Sequence, residues 1–146
     1  MFCKCCVARV ARRTLTVGVA TTAAVVVCDI VENRRSVGAL NAISHIAWED
    51  DALCQDKVSA KYTGVALGLN LTAHAGWALI YEAFFGRSRG TKSLVGGALV
   101  ATLAYIVDYK VVPPRFTPGF EHRVSGRSIF WIYVALALAL AGKAER

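Results

Sequence analysis

The sequence predicts an all-α integral membrane protein, a four-helix bundle with a short outer amphipathic or re-entrant helix. Three observations carry that expectation. Four apolar stretches, residues 14–31, 60–85, 93–112 and 128–142, hold most of the hydrophobic side chains. Charged residues are only 18% of the chain against 55% apolar, and the mean hydropathy is +0.46. The charges lie almost wholly between the stretches, where exclusion from lipid would leave them. A bilayer core of about 30 Å takes ~20 helical residues, which the first three stretches supply or nearly supply. The fourth is shorter, but Ser128 and Lys143 can sit at its two interfaces.

At 146 residues the chain is one domain by length. Its net charge of +7 flanks the apolar stretches. The expected counter-charge is therefore an anionic lipid headgroup. No aromatic-basic motif accompanies the charge, so nucleic acid is not expected as a partner. Five cysteines, Cys3, Cys5, Cys6, Cys28 and Cys54, are an odd number, and no second CxxC pair supplies a fourth metal ligand beside Cys3, Cys5 and Cys6. They read as reduced thiols rather than a disulfide framework or a zinc site.

The first stretch follows Lys4, Arg9, Arg12 and Arg13, the layout of a secretory signal. It lacks a convincing cleavage site and is expected to remain as a signal-anchor. Residues 32–59 form a loop holding a semi-apolar piece, residues 37–48. That piece is too short to span, so a surface or re-entrant helix is expected there. An acidic run follows, with Glu49, Asp50, Asp51 and Asp56. Residues 87–92 are short and basic, so the second and third stretches form an antiparallel hairpin. All three prolines, Pro113, Pro114 and Pro118, fall after the third stretch and make a rigid non-helical loop. Phe130, Trp131 and Tyr133 open the fourth stretch as an interfacial aromatic cluster.

Basic residues set orientation because they tend to stay cytoplasmic. Four crossings put both termini on one side. That side collects its Lys and Arg in short tails and one six-residue loop, whereas the other spreads a similar number over longer loops. Both termini are therefore expected in the cytoplasm of a bacterial inner membrane, in multi-pass topology.

Inside lipid, helices pack over small residues. Gly64, Gly68, Thr72 and Gly76 recur every four residues and so share one helix face. This stripe is expected to pack within the bundle, with a dimer interface as the alternative. Gly97 with Ala101, and Ala135 with Ala139, offer lesser versions.

Ionisable groups at membrane depth need a reason. Asp29, His74, Glu82 and Asp108 are such groups. By helical rise, Asp29 and Asp108 each lie about 22 Å from the cytoplasmic end, and His74 lies near the midplane. Glu82 falls near the cytoplasmic interface, within reach of Arg87 or Arg89. Asn70, His74, Ala78 and Glu82 form a second row, opposite the glycines, which would make this stretch the central helix. One reading makes these polar residues structural. The other has Asp29, His74 and Asp108 converge beneath the first outer loop, closed by His45 and Glu49. Carboxylates with imidazoles suit a divalent metal or a proton relay. No other cofactor is indicated.

No P-loop or HExxH is present, and Gly86-Arg87-Ser88-Arg89-Gly90 matches GxSxG without the preceding strand a nucleophile elbow needs, so an enzyme is the least favoured reading. The leading expectation is a structural or accessory membrane protein acting through helix contacts with a second copy or another membrane protein. The alternative is a small transporter or channel-like protein using Asp29, His74 and Asp108.

Three segments carry a resemblance: Asn41-Ala-Ile-Ser-His45-Ile-Ala-Trp48, the span from His74 to Glu82, and Asp108-Tyr109 through Pro118-Gly119-Phe120-Glu121. Together they resemble small bacterial inner-membrane proteins, a four-helix group with no assigned activity. The resemblance covers the chain from Asn41 onward. It implies the fold and the location, and brings no activity or site residues.

Overall fold

Four long helices run alternately up and down and close into a ring. The computed structural model describes residues 4–142, leaving out the side chain of Lys4. Cys3, Lys143 and Arg146 lie outside the described residues. Helix α1 is Lys4–Asn33, followed by short helices α2 (Gly38–Ala42), α3 (His45–Trp48) and α4 (Asp50–Leu53). Helix α5 (Val65–Phe85) opens with a π turn, Ala60–Gly64. Helix α6 (Thr91–Ile106) ends in another, Val107–Val111. Two 3₁₀ turns, Pro114–Phe116 and Phe120–His122, lead to α7 (Gly126–Ala141). No strand occurs among the described residues, so the chain is all-α.

Local chemistry sets the boundaries. Arg34, at φ 56°, takes the left-handed conformation and ends α1. Ser59 caps the π turn by accepting from the Tyr62 N–H, and Thr63 Oγ1 accepts from the Ser59 N–H in return. Val112, forced extended before Pro113, ends α6. Ser125 caps α7.

Helix α1 packs against α5 and α7, and α6 packs against the same two. In such a ring no helix is central, which corrects the central place expected of α5. The α6–α7 contact is close because residue 97 is glycine. A Cβ there would strike the Ala137 carbonyl and stand 3.1 Å from the Ala141 methyl.

The stripe of Gly64, Gly68, Thr72 and Gly76 does not pack within the chain as expected. All four residues are exposed, and a Cβ on any of the three glycines would meet nothing within 4 Å. The opposite row turns inward instead, with His74 and Ala78 buried. Polar groups in apolar surroundings must find partners, which small residues need not do.

The bundle's two ends are built differently. At the end holding the chain termini, Arg13 is 6% exposed and ties α1 to α5 and α7. Its Nε donates to Glu82 Oε1 at 2.7 Å, and its Nη1 donates to the carbonyls of Leu140 and, at 2.9 Å, Gly142. The guanidinium lies 4.5 Å from the Tyr81 ring centre. Arg9 stands 3.4 Å from the other Glu82 oxygen, an ion-pair distance without hydrogen-bond alignment. Glu82 therefore pairs with Arg9 and Arg13 of α1, not with the expected Arg87 or Arg89. Tyr81 and Ser93 share a 2.6 Å hydrogen bond, and Ser93 donates to the Ala141 carbonyl at 2.9 Å. All four long helices meet in this one network.

At the other end, residues 37–53 form a cap, not the single surface helix expected over 37–48. Residues 38–45 are buried, and Asn41 and Ser44 are fully so. Asn41 donates to the carbonyls of Gln55 and Lys57, both at 3.0 Å, and accepts from Thr63 Oγ1 at 2.7 Å. Gly119, at φ 89°, lets the proline loop pass so near the Ala42 carbonyl that a Cβ would clash with it.

Candidate functional site

Beneath the cap lies a cavity of about 100 Å³. Its walls come from α1, α5, the π turn of α6, α7, the cap and the proline loop. Most of its lining is apolar or aromatic, including Trp77, Phe116, Phe120 and Tyr133. Four polar residues join them: Thr21, Asn70, His74 and Asp108.

Helix α5 places Asn70 and His74 one turn apart on its inward face. His74 is 7% exposed, and its Nε2 lies 2.6 Å from Thr21 Oγ1. Its Nδ1 is buried and has no hydrogen-bond partner. Thr21 Oγ1 also donates to the Val17 carbonyl at 2.8 Å. A threonine has one hydroxyl proton, and in a helix interior that proton commonly serves the carbonyl four residues back. Nε2 then carries the imidazole proton and gives it to Thr21. Nδ1 is left as a bare acceptor.

Asn70 donates its amide to Thr22 Oγ1 at 3.2 Å. Asp108 sits in the π turn, a local widening of the helix that recurs at functional sites. Its Oδ2 accepts from the Tyr133 hydroxyl at 2.6 Å. Tyr133 also packs edge-on against Tyr105 and Tyr109, and Tyr109 donates to Glu121 at 3.5 Å. Asp108 forms no ion pair with any described Lys or Arg.

The expected grouping of Asp29, His74 and Asp108 is thus corrected: only His74 and Asp108 line the cavity. Asp29 is fully buried elsewhere, accepting from Asn33 Nδ2 and from the Ala39 N–H, both at 2.9 Å. It fastens α2 to α1. His45 and Glu49 do not close the site either. His45 turns its nitrogens to the carbonyls of Ala42, at 3.0 Å, and Pro114, at 3.5 Å. Glu49 is exposed and pairs with Arg115 at 2.7 Å. The metal-ligand set of His45, Glu49, His74 and Asp108 is therefore dispersed. Among the described residues no three His, Cys, Asp or Glu gather to hold a metal.

Sequence reasoning missed Thr21, Tyr133 and the aromatic walls. Thr21 was hidden among the many threonines and alanines of α1. Tyr133 reads in the sequence as an interfacial aromatic and turns out to hold Asp108. No protein-family model matches the chain, and no curated protein or solved structure matches it either.

Proposed function

We propose that the chain is a four-span protein of a bacterial inner membrane, with both termini cytoplasmic. Its role is accessory, played through contacts between its outer helix faces and a second copy or another membrane protein. The observation that carries the membrane reading is the outward surface. Leu15, Val19, Leu71, Leu79, Leu99, Leu103 and Leu138 are all exposed, Val19 at 72%. Soluble monomers seldom show apolar surface on every flank. Helices Cys5–Asn33 and Thr91–Val111 are long and apolar enough to cross a membrane, and Gly126–Ala141 is apolar but shorter. Helix α5 has 21 residues, with Asn70, His74 and Glu82 interrupting its apolar sequence.

The contact surface is argued from α5. Its open glycine stripe borders an apolar groove against α1, edged by Leu15, Leu71 and Leu79. Small residues facing outward let a neighbouring helix approach closely. Membrane insertion is tested by alkaline carbonate extraction, which should leave the chain in the pellet; release into the supernatant would end the reading. Orientation is tested with an impermeant thiol reagent applied from outside. Exposed Cys54 should label, and a Gly90→Cys variant should not. The reverse pattern would invert the topology.

A second reading has its own support. His74, whose Nδ1 is unpartnered, and Asp108, which has no ion pair, line one cavity, as a small binding or transport protein would require. Substitution of His74 or Asp108 should then remove a phenotype without lowering the protein level. A fall in protein level alone would favour a structural role.

A further inference from the structure

We infer that the cavity beneath the cap binds the primary ammonium group of a small alkyl amine; this rests on the second reading above and names its ligand class. The donor and acceptor inventory selects the chemistry. Tyr133 spends its proton on Asp108, and Asn70 spends its amide on Thr22. His74 gives its Nε2 proton to Thr21. What these lining residues leave unspent accepts: Oδ1 of Asp108, the amide oxygen of Asn70 and the buried Nδ1 of His74. A primary ammonium has three donors and no acceptor. An anion or a carbonyl compound would meet acceptors only.

Charge points the same way. Asp108 has no described Lys or Arg to balance it. Trp77, Phe116, Phe120 and Tyr133 add aromatic walls, and aromatic faces attract cations. A metal ion fits poorly, because its ligands must be several and Asp108 is the only carboxylate of the lining. Size favours a small ligand. A cavity of roughly 150 Å³ takes benzene, and this one is about 100 Å³. An amine of four or five heavy atoms fits, whereas a lipid chain does not.

The test uses the full-length protein in mild detergent, with binding read by thermal shift and by Trp77 fluorescence. The probe is tert-butylammonium chloride, compared with tert-butanol, which has the same shape and no charge. The wild type should bind the ammonium saturably, at least tenfold tighter than the alcohol. Asp108→Asn keeps an acceptor for Tyr133 and should weaken ammonium binding at least tenfold. Phe116→Leu changes a half-exposed loop residue and leaves the bundle core intact. It should weaken binding roughly two- to fivefold through the lost aromatic face. Equal binding of alcohol and ammonium, with Asp108→Asn indifferent, would overturn the ammonium assignment while leaving a binding cavity. Saturable binding of neither probe, with His74 and Asp108 variants normal in phenotype, would overturn both readings.

Discussion

The bundle's two ends face opposite problems and solve them differently. At the terminal end a charged cluster is buried and ion-paired, although Arg9 Nε and Glu82 Oε2 lack aligned hydrogen bonds. Arg13 gives bonds to Glu82 and to two carbonyls at the close of α7, and Tyr81 and Ser93 complete the tie to α6. At the cap end the polar groups are spread over separate small networks. Asp29 holds α2, Glu32 holds the start of α7 through Ser125 and Ser128, and Asn41 holds the loop before α5. Between those networks a cavity remains, with Nδ1 of His74 unpartnered. The lesson is about polar burial. A cluster that exists for stability sets charge against charge, whereas the cavity leaves Asp108 without a described cation.

That contrast can be broken most forcefully at Arg13. Arg13→Ala strips Glu82 of its nearest partner and leaves two α7 carbonyls unserved. Removing one member of a buried pair costs about 3–5 kcal/mol. Reversible unfolding in detergent should show a loss of that order. A loss below about 1 kcal/mol would mean that Arg9 takes over the whole pairing.

At the cap end the largest effect should come from Asp29→Ala, which orphans the Ala39 N–H and frees Asn33. An unsatisfied buried donor costs about 1–3 kcal/mol. The damage should stay local, with faster amide exchange in residues 37–53 and little change near Tyr81. Uniform loss of protection through all four long helices would contradict the separation of the two ends.

Glycine sharpens the comparison on another axis. Gly97→Val forces a side chain against the α7 backbone and should cost about 1–3 kcal/mol, as overpacking does. Gly68→Leu enters open space and should leave monomer stability within about 0.5 kcal/mol. If the α5 face meets another helix, Gly68→Leu should instead abolish cross-linked dimers or co-purified partners.

The bundle itself was legible in the sequence. Apolar stretches located α5, α6 and α7 to within several residues, because exclusion of charge from apolar surroundings is a one-dimensional signal, but α1 begins at Lys4, well before its stretch. The Pro113-Pro114 pair marked the end of the third stretch through local chemistry alone. The partner of Glu82 was not legible: Arg13 is 69 residues away in sequence, and nearby Arg87 was the simpler guess. Nor was the buried face of α5, where two rows competed. The glycine row promised close packing and the Asn70–His74–Glu82 row promised polar cost. Polar cost decided the outcome. Within the candidate site, His74 and Asp108 stood out as ionisable groups in apolar stretches, whereas Asp29 looked equivalent and is not. Its difference lies in the Ala39 N–H, which no sequence pattern places above it.

The smallest expected effect is also the most discriminating. His74→Leu removes an imidazole whose Nε2 bonds Thr21 and whose Nδ1 bonds nothing. Thr21 retains its bond to the Val17 carbonyl, so no buried donor is orphaned. Leucine adds apolar contacts against Val25, Ile132 and Leu136, which line the same cavity. Exchanging a half-satisfied polar group for an apolar one of similar size is close to neutral. His74→Leu should therefore change stability by less than about 1 kcal/mol, against several for Arg13→Ala. A residue that is buried, polar and dispensable for folding has its reason elsewhere, in what the cavity holds. If His74→Leu instead unfolds the protein, His74 belongs with Arg13 among the structural groups, and the two ends obey one rule.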